Sequence, residues 1–236
     1  MRTTGQAAPG AWPRDEAEAL KVQDELRTLV SHESVGALGG ARRVAGLDVA
    51  YAKDESVVAG AIAVIDPVTG EVAETSTATR PVEFPYIPGL LAFREVPALL
   101  DALDRLTAPP DVLVCDGYGI AHPRRFGLAC HLGVLTGLPS FGVAKTAFVG
   151  VFDEPGPRRG DWSPLLDGSE EVGWEEVGRV LRTQAGVKPV FVSTGHRVGL
   201  DETIELTLRL ATSYRLPETT RQADRLSRSA LAVAKA

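Results

Sequence analysis

Apolar and polar residues alternate along this chain with two different periods, and the switches between those periods mark out its elements. From residue 15 to 30 (DEAEALKVQDELRTLV), Ala17, Leu20, Leu26, Leu29 and Val30 fall at helical spacings with polar positions between them, which predicts an amphipathic helix. Residues 42 to 52 (RRVAGLDVAYA) are apolar and rich in strand formers. Residues 57 to 65 predict a second strand, closed by the turn Asp66-Pro67-Val68-Thr69-Gly70, and the alternation over 71 to 79 predicts a third. Connections this short imply an antiparallel meander. The Pro-rich stretch from Pro81 to Gly89 suits neither a helix nor a central strand. A crossover helix follows from about Leu90 to Leu106, with Leu91, Val96, Leu99, Leu100 and Leu103 available for one buried face despite Pro97.

The second half of the chain changes rhythm. A short apolar strand over 111 to 115, a helix over 126 to 135 and a strand over 140 to 144 make a strand–helix–strand unit. Residues 153 to 173 are turn-rich and acidic and predict an exposed insertion. A further strand is expected over 188 to 193, and two helices over 201 to 213 and 218 to 234. Together these elements predict an α/β fold: a mixed sheet, part antiparallel meander and part parallel strands, with helices on its faces. Residues 14 to 236 read as a single domain. Met1 to Pro13, small, polar and Pro/Gly-bearing, read as a flexible tail without the apolar run of a signal peptide.

Composition narrows the class. The chain has 236 residues, 44% of them hydrophobic and 24% charged, enough to bury a sizeable core. No apolar run reaches the roughly 18 residues that a membrane helix needs, so no membrane association is expected. Cys115 and Cys130 form no disulfide framework, which points to reduced thiols and the cytoplasm, and no His/Cys spacing suits zinc. A net charge of −6 argues against non-specific phosphate binding over the whole surface. Arg124 and Arg125 beside His122 leave room for a local positive face.

The candidate chemistry lies in isolated carboxylates. Asp48 stands in the middle of an apolar strand, where an unpartnered carboxylate is costly and calls for a metal, a cation or hydrogen bonds. Its plain alternative is a solvent-facing position on an edge strand. Asp116 follows DVLVC at the carboxyl end of a strand, where open α/β sheets place ligands, and Gly117 and Gly119 after it admit close approach. The plain alternative there is a turn-capping Asp. Glu95 lies on the crossover helix; by itself it reads as a surface residue. Three carboxylates without a thiolate or histidine partner favour a hard cation, Mg2+ with Mn2+ as a substitute, over zinc.

Five ordered segments carry a resemblance: VAGLDVAY around Asp48, FPYIPGLLAFRE from Phe84 to Glu95, DGYGIAHPRRFGLACHLGV from Asp116 to Val134, GVAKT from Gly142 to Thr146, and STGHRVGL from Ser193 to Leu200. The chain resembles endonuclease V, a deoxyinosine-directed DNA repair nuclease with an RNase H-like fold. The resemblance implies that Asp48, Glu95 and Asp116 bind the catalytic metal. It also implies hydrolysis of the second phosphodiester bond 3′ to the lesion, leaving 3′-hydroxyl and 5′-phosphate ends. Lys145 would place positive charge near the phosphoryl group, and His122 would contact water or phosphate. Pro85, Tyr86, Ile87 and Pro88 would form a wedge that separates strands, and Gly89, Gly117 and Gly119 would line a pocket for the flipped base. His131 reads as structural. Asp224 stands where some relatives carry histidine, which leaves an auxiliary role there open. The expected partner is DNA containing deoxyinosine, bound by a monomer. Alternatives are a ribonuclease acting on inosine-containing RNA, a small-molecule hydrolase using the same carboxylates, and a binding module without catalysis.

Overall fold

A computed structural model describes residues 12–36 and 38–233. One eight-stranded mixed sheet runs through the molecule in the order β3-β2-β1-β4-β5-β8-β7-β6. Strands β1 (Val44–Tyr51), β2 (Val57–Ile65) and β3 (Val72–Pro81) form the expected antiparallel meander. β4 (Val112–Asp116) pairs parallel to β1, and β5 (Ser140–Ala144) parallel to β4. Beyond β5 the sheet turns antiparallel again through β6 (Trp162–Ser169), β7 (Gly173–Leu181) and β8 (Val190–His196).

Helices α1 (Glu16–Arg27), α2 (Ala92–Asp104) and α3 (Leu128–Thr136) cover one face, and α4 (Leu200–Leu210) and α5 (Glu218–Val233) the other. Side chains alternate along each strand, so β1 feeds both layers. Ala45 and Leu47 pack beneath α2 and α3, while Val44 joins the cluster beneath α4. Two glycines in the middle of the sheet set how close the helices come. A Cβ on Gly46 would overlap the backbone of Thr219 in α5, and one on Gly60 would come within 2.8 Å of the Ala98 carbonyl carbon in α2. The face that α5 presents is correspondingly small, with Thr219, Ala223 and Ser227 buried at intervals of one turn.

The acidic segment from Asp153 to Gly173 departs from the expected exposed insertion. Its second half is β6, which with β7 makes an antiparallel hairpin extending the sheet edge. β6 is covered on one side only, through Leu165 packed with Val177 and Val180, while β7 is buried on its other side at its end, where Leu181 joins the cluster beneath α4; the apolar signal of the hairpin is correspondingly weak. Pro164 within β6 further masks it, and is tolerated because β6 is the outermost strand.

The tail reading also needs correction where the structure describes it. Residues 1–11 lie outside the described residues, but Trp12 is anchored: its indole Nε1 donates to the Phe93 carbonyl at 2.8 Å. Pro97, four residues on in α2, has no N–H for that carbonyl, so the helix leaves an acceptor that Trp12 satisfies. Among the described residues no helix is long and apolar enough to cross a membrane.

Candidate functional site

In the parallel pair β1/β4, Leu47 stands opposite Cys115. The next residues are Asp48 and Asp116, which therefore emerge side by side on neighbouring strands, about 4.8 Å apart along the backbone and on the same face. β1 is interior to the sheet, which removes the edge-strand alternative for Asp48. Burial and the adjacent Asp116 push the Asp48 carboxyl up to about 7. Glu95 reaches the same end of the sheet from the opposite layer, in the first turn of α2, and is 8% exposed. Burial, then repulsion from Asp48, push it up to about 8.

Two further groups complete the electrostatics. Lys145, just past β5, donates from Nζ to Asp116 Oδ2 at 2.5 Å. Asp224, on α5, shares a hydrogen bond with Asp48, which donates in its protonated form, while Arg228 holds the Asp224 carboxyl below its ordinary value. The close packing of α5 on Gly46 places Asp224 there. In this arrangement no three His, Cys, Asp or Glu side chains among the described residues close into a metal cage, and Asp116 is engaged by Lys145. Yet the three acids are buried together and repel one another: two of them hold protons near neutrality, first because of burial and then because of that repulsion. An all-oxygen donor set of this kind fits a hard divalent cation.

A cavity of about 410 Å³ opens beside Glu95 and Asp116. Its walls include Tyr86, Gly89, Gly117, Tyr118, His122 and Phe148. Phe148 packs edge-on to His122 at 5.4 Å and against Tyr118 at 5.2 Å, giving an aromatic lining. At the rim, Tyr86 is 66% exposed, so it is no core tyrosine. Its neighbour Ile87 turns inward against the cluster of Phe84, Leu90 and Phe93, which anchors the segment.

The family model for endonuclease V matches residues 24–225. The chain belongs to the endonuclease V family. It is 56% identical to endonuclease V of Streptomyces avermitilis over 228 residues, covering 97% of each chain. The crystal structure of that protein superposes with a TM-score of 0.89, at 55% identity over 97% of this chain and 98% of that one. Endonuclease V of Ciona intestinalis, solved in complex with a 24mer DNA containing an inosine followed by a ribo-adenosine, superposes with a TM-score of 0.81. It is 28% identical, covering 92% of this chain and 98% of that one. The chain thus shares the fold of a family of nucleases.

Other positions singled out in the sequence take different parts. His122 faces the cavity, and its Nδ1 accepts from Arg124 N at 3.2 Å. Burial lowers it to about 4, so the ring is neutral where it lines the cavity. Gly119 does not line the cavity; a Cβ there would overlap Thr194 O of β8, and its N–H donates to Ser193 Oγ at 2.8 Å. Gly89 and Gly117 do line it, both with positive φ (82° and 153°). Arg124 and Arg125 do not stand as free cations beside His122, because Arg124 pairs with Asp24 at 2.6 Å and Arg125 with Asp167 and Glu175 at 2.8 and 2.7 Å. His131 is fully buried among Trp12, Phe93 and Phe126, and His196 Nδ1 accepts from Ser31 N at 3.1 Å.

The sequence reading missed Tyr51 and Arg94 and left Asp224 open. Tyr51 Oη donates to Glu95 Oε1 at 3.4 Å. The period-2 alternation carried the signal: Tyr51 shares the α2-facing side with Leu47 and Val49, opposite to Asp48.

Proposed function

We propose that this chain is a divalent-metal-dependent endodeoxyribonuclease that recognises deoxyinosine and hydrolyses the second phosphodiester bond on its 3′ side. The products would be 3′-hydroxyl and 5′-phosphate ends. The observation that carries the reading is the pairing of Asp48 and Asp116 on adjacent strands, with Glu95 facing them, at the mouth of an aromatic-walled cavity. Further support comes from the Ciona relative, solved with inosine-containing DNA. Asp48, Glu95 and Asp116 would hold magnesium or manganese, with Asp224 beside them. The bound cation would activate water and stabilise charge on the phosphate.

The remaining residues divide the work. Lys145 keeps a fixed positive charge beside Asp116, suited to charge developing on the phosphoryl group. Gly89 and Gly117 let a base approach the backbone, and Tyr118, His122 and Phe148 offer ring faces and edges to it. Pro85, Tyr86, Ile87 and Pro88 form an arm whose exposed Tyr86 can occupy the space of a displaced base. That exposed aromatic at the cavity rim favours a nucleic acid over a small-molecule substrate. Action on inosine-containing RNA is the second reading, because the DNA in the Ciona complex carries a ribo-adenosine after the inosine.

The test compares cleavage of matched deoxyinosine and riboinosine strands, with magnesium and with chelator. Faster magnesium-dependent cutting of the deoxyinosine strand at the second 3′ phosphodiester is expected. Preference for riboinosine would replace the DNA reading with the RNA one, and metal-independent cutting would overturn the carboxylate assignment.

A further inference from the structure

The site leaves one expensive group unexplained. Arg94, in the first turn of α2 between Phe93 and Glu95, has a side chain only 4% exposed, and its Nε is buried with no hydrogen-bond partner. Its ion-pair partner is Glu55, whose Oε2 accepts from Nη2 at 3.0 Å, and that glutamate side chain is 65% exposed. A buried guanidinium with an unsatisfied donor and a solvated partner contributes little net stability. Arg94 does not line the cavity. What it does touch is informative. Its guanidinium carbon lies over the ring of Tyr51 at 4.9 Å and over the ring of Tyr86 at 5.8 Å. Tyr51 in turn donates its hydroxyl to Glu95.

We propose that Arg94 is a positioning residue, a flat cationic strut that fixes the direction of the Tyr86 arm relative to the carboxylate cluster. Tyr86 is otherwise held by little: its ring is two-thirds exposed, and the inward anchoring of its segment comes from Ile87. A cation beneath an exposed ring restricts where that ring points without covering the face it needs for a base. Arg94 is rooted next to Glu95 on the same helical turn, and Tyr51 ties both to β1. The arm and the acidic cluster are thereby held as one unit. The chain keeps a group that is poor for stability because pre-orienting Tyr86 spares its ordering when the duplex arrives.

This inference rests on the wedge reading of Tyr86, and the experiment separates the two. Binding of inosine-bearing duplex and single strand is measured in calcium for wild type, Tyr86→Ala, Arg94→Met and the double variant, with thermal melting of each. Arg94→Met is expected to weaken duplex binding about three- to tenfold, the scale of one cation–aromatic contact, with a smaller loss on single strand. The double variant should bind the duplex no worse than Tyr86→Ala, because the strut acts only through that ring. Arg94→Met should melt at or above the wild-type temperature, since Glu55 stays solvated when its partner goes. Tyr86→Ala binding the duplex normally would overturn the wedge reading and this proposal with it. A defective Tyr86→Ala with additive losses in the double variant would overturn the strut alone. So would a lower melting temperature for Arg94→Met accompanied by equal losses on paired and unpaired strands, the mark of a merely structural residue.

Discussion

Proton release on metal binding offers the most direct test of the acidic cluster. Asp48 is raised from 3.8 to about 7 and Glu95 from 4.5 to about 8, by burial and by mutual repulsion with Asp116. At pH 6.5 both carboxyls are mostly protonated, whereas at pH 9 both are largely ionised. A cation seated among them requires the ionised forms. Magnesium binding should therefore release between about one and two protons at pH 6.5 and close to none at pH 9, with apparent affinity rising between. Titration calorimetry in buffers of different ionisation enthalpy reads the proton count directly. The sign for stability follows from the same shifts. Both carboxyls bind protons more tightly folded than unfolded, so the metal-free protein loses stability as pH rises from about 4 to 8, and magnesium restores more of it at the alkaline end. Magnesium affinity and proton count independent of pH over this range would refute the placement of Asp48 and Glu95 around the cation.

Three further outcomes are expected. Asp48→Asn and Asp116→Asn should abolish magnesium-dependent cleavage, and Asp48→Asn should melt at or above wild type at pH 8 without metal, because a buried charge repelled by Asp116 is gone; normal turnover in either would remove that residue from the site. Lys145→Ala should lower turnover more than substrate affinity in single-turnover and binding assays, and the reverse pattern would make it an ordinary phosphate contact. Gly46→Ala should destabilise the fold by about 1–3 kcal/mol in denaturant titration and weaken the magnesium response, since its Cβ would drive α5, and Asp224 with it, off β1.

Much of the fold was legible because periodicity survives in the sequence wherever both partners of a packed face are apolar. The meander β1–β3, the crossover helix α2 with its interior Pro97, and β5 at residues 140–144 all follow from runs such as VVAGAIAVI and SFGVA. The family, too, was legible, because segments such as FPYIPGLLAFRE and DGYGIAHPRRFG combine turn residues and charges that packing alone does not demand. The edge hairpin β6–β7 was not: β6 has one side in water, Pro164 interrupts it and its acidic residues resemble a loop. Pairing decided the rest. Only the parallel register of Leu47 on Cys115 sets Asp48 beside Asp116, and only the close seats on Gly46 and Gly60 bring Asp224 and Glu95 from opposite layers toward the same end of the sheet. Local sequence could not reveal that Arg124 and Arg125 are neutralised by carboxylates 100, 42 and 50 residues away, or that Gly119 packs on β8 instead of lining the cavity. Nor could it show Arg94 beneath Tyr86. Side-chain alternation fixes which face a residue occupies, whereas what it meets there depends on strand order and helix approach, which are properties of the assembled chain.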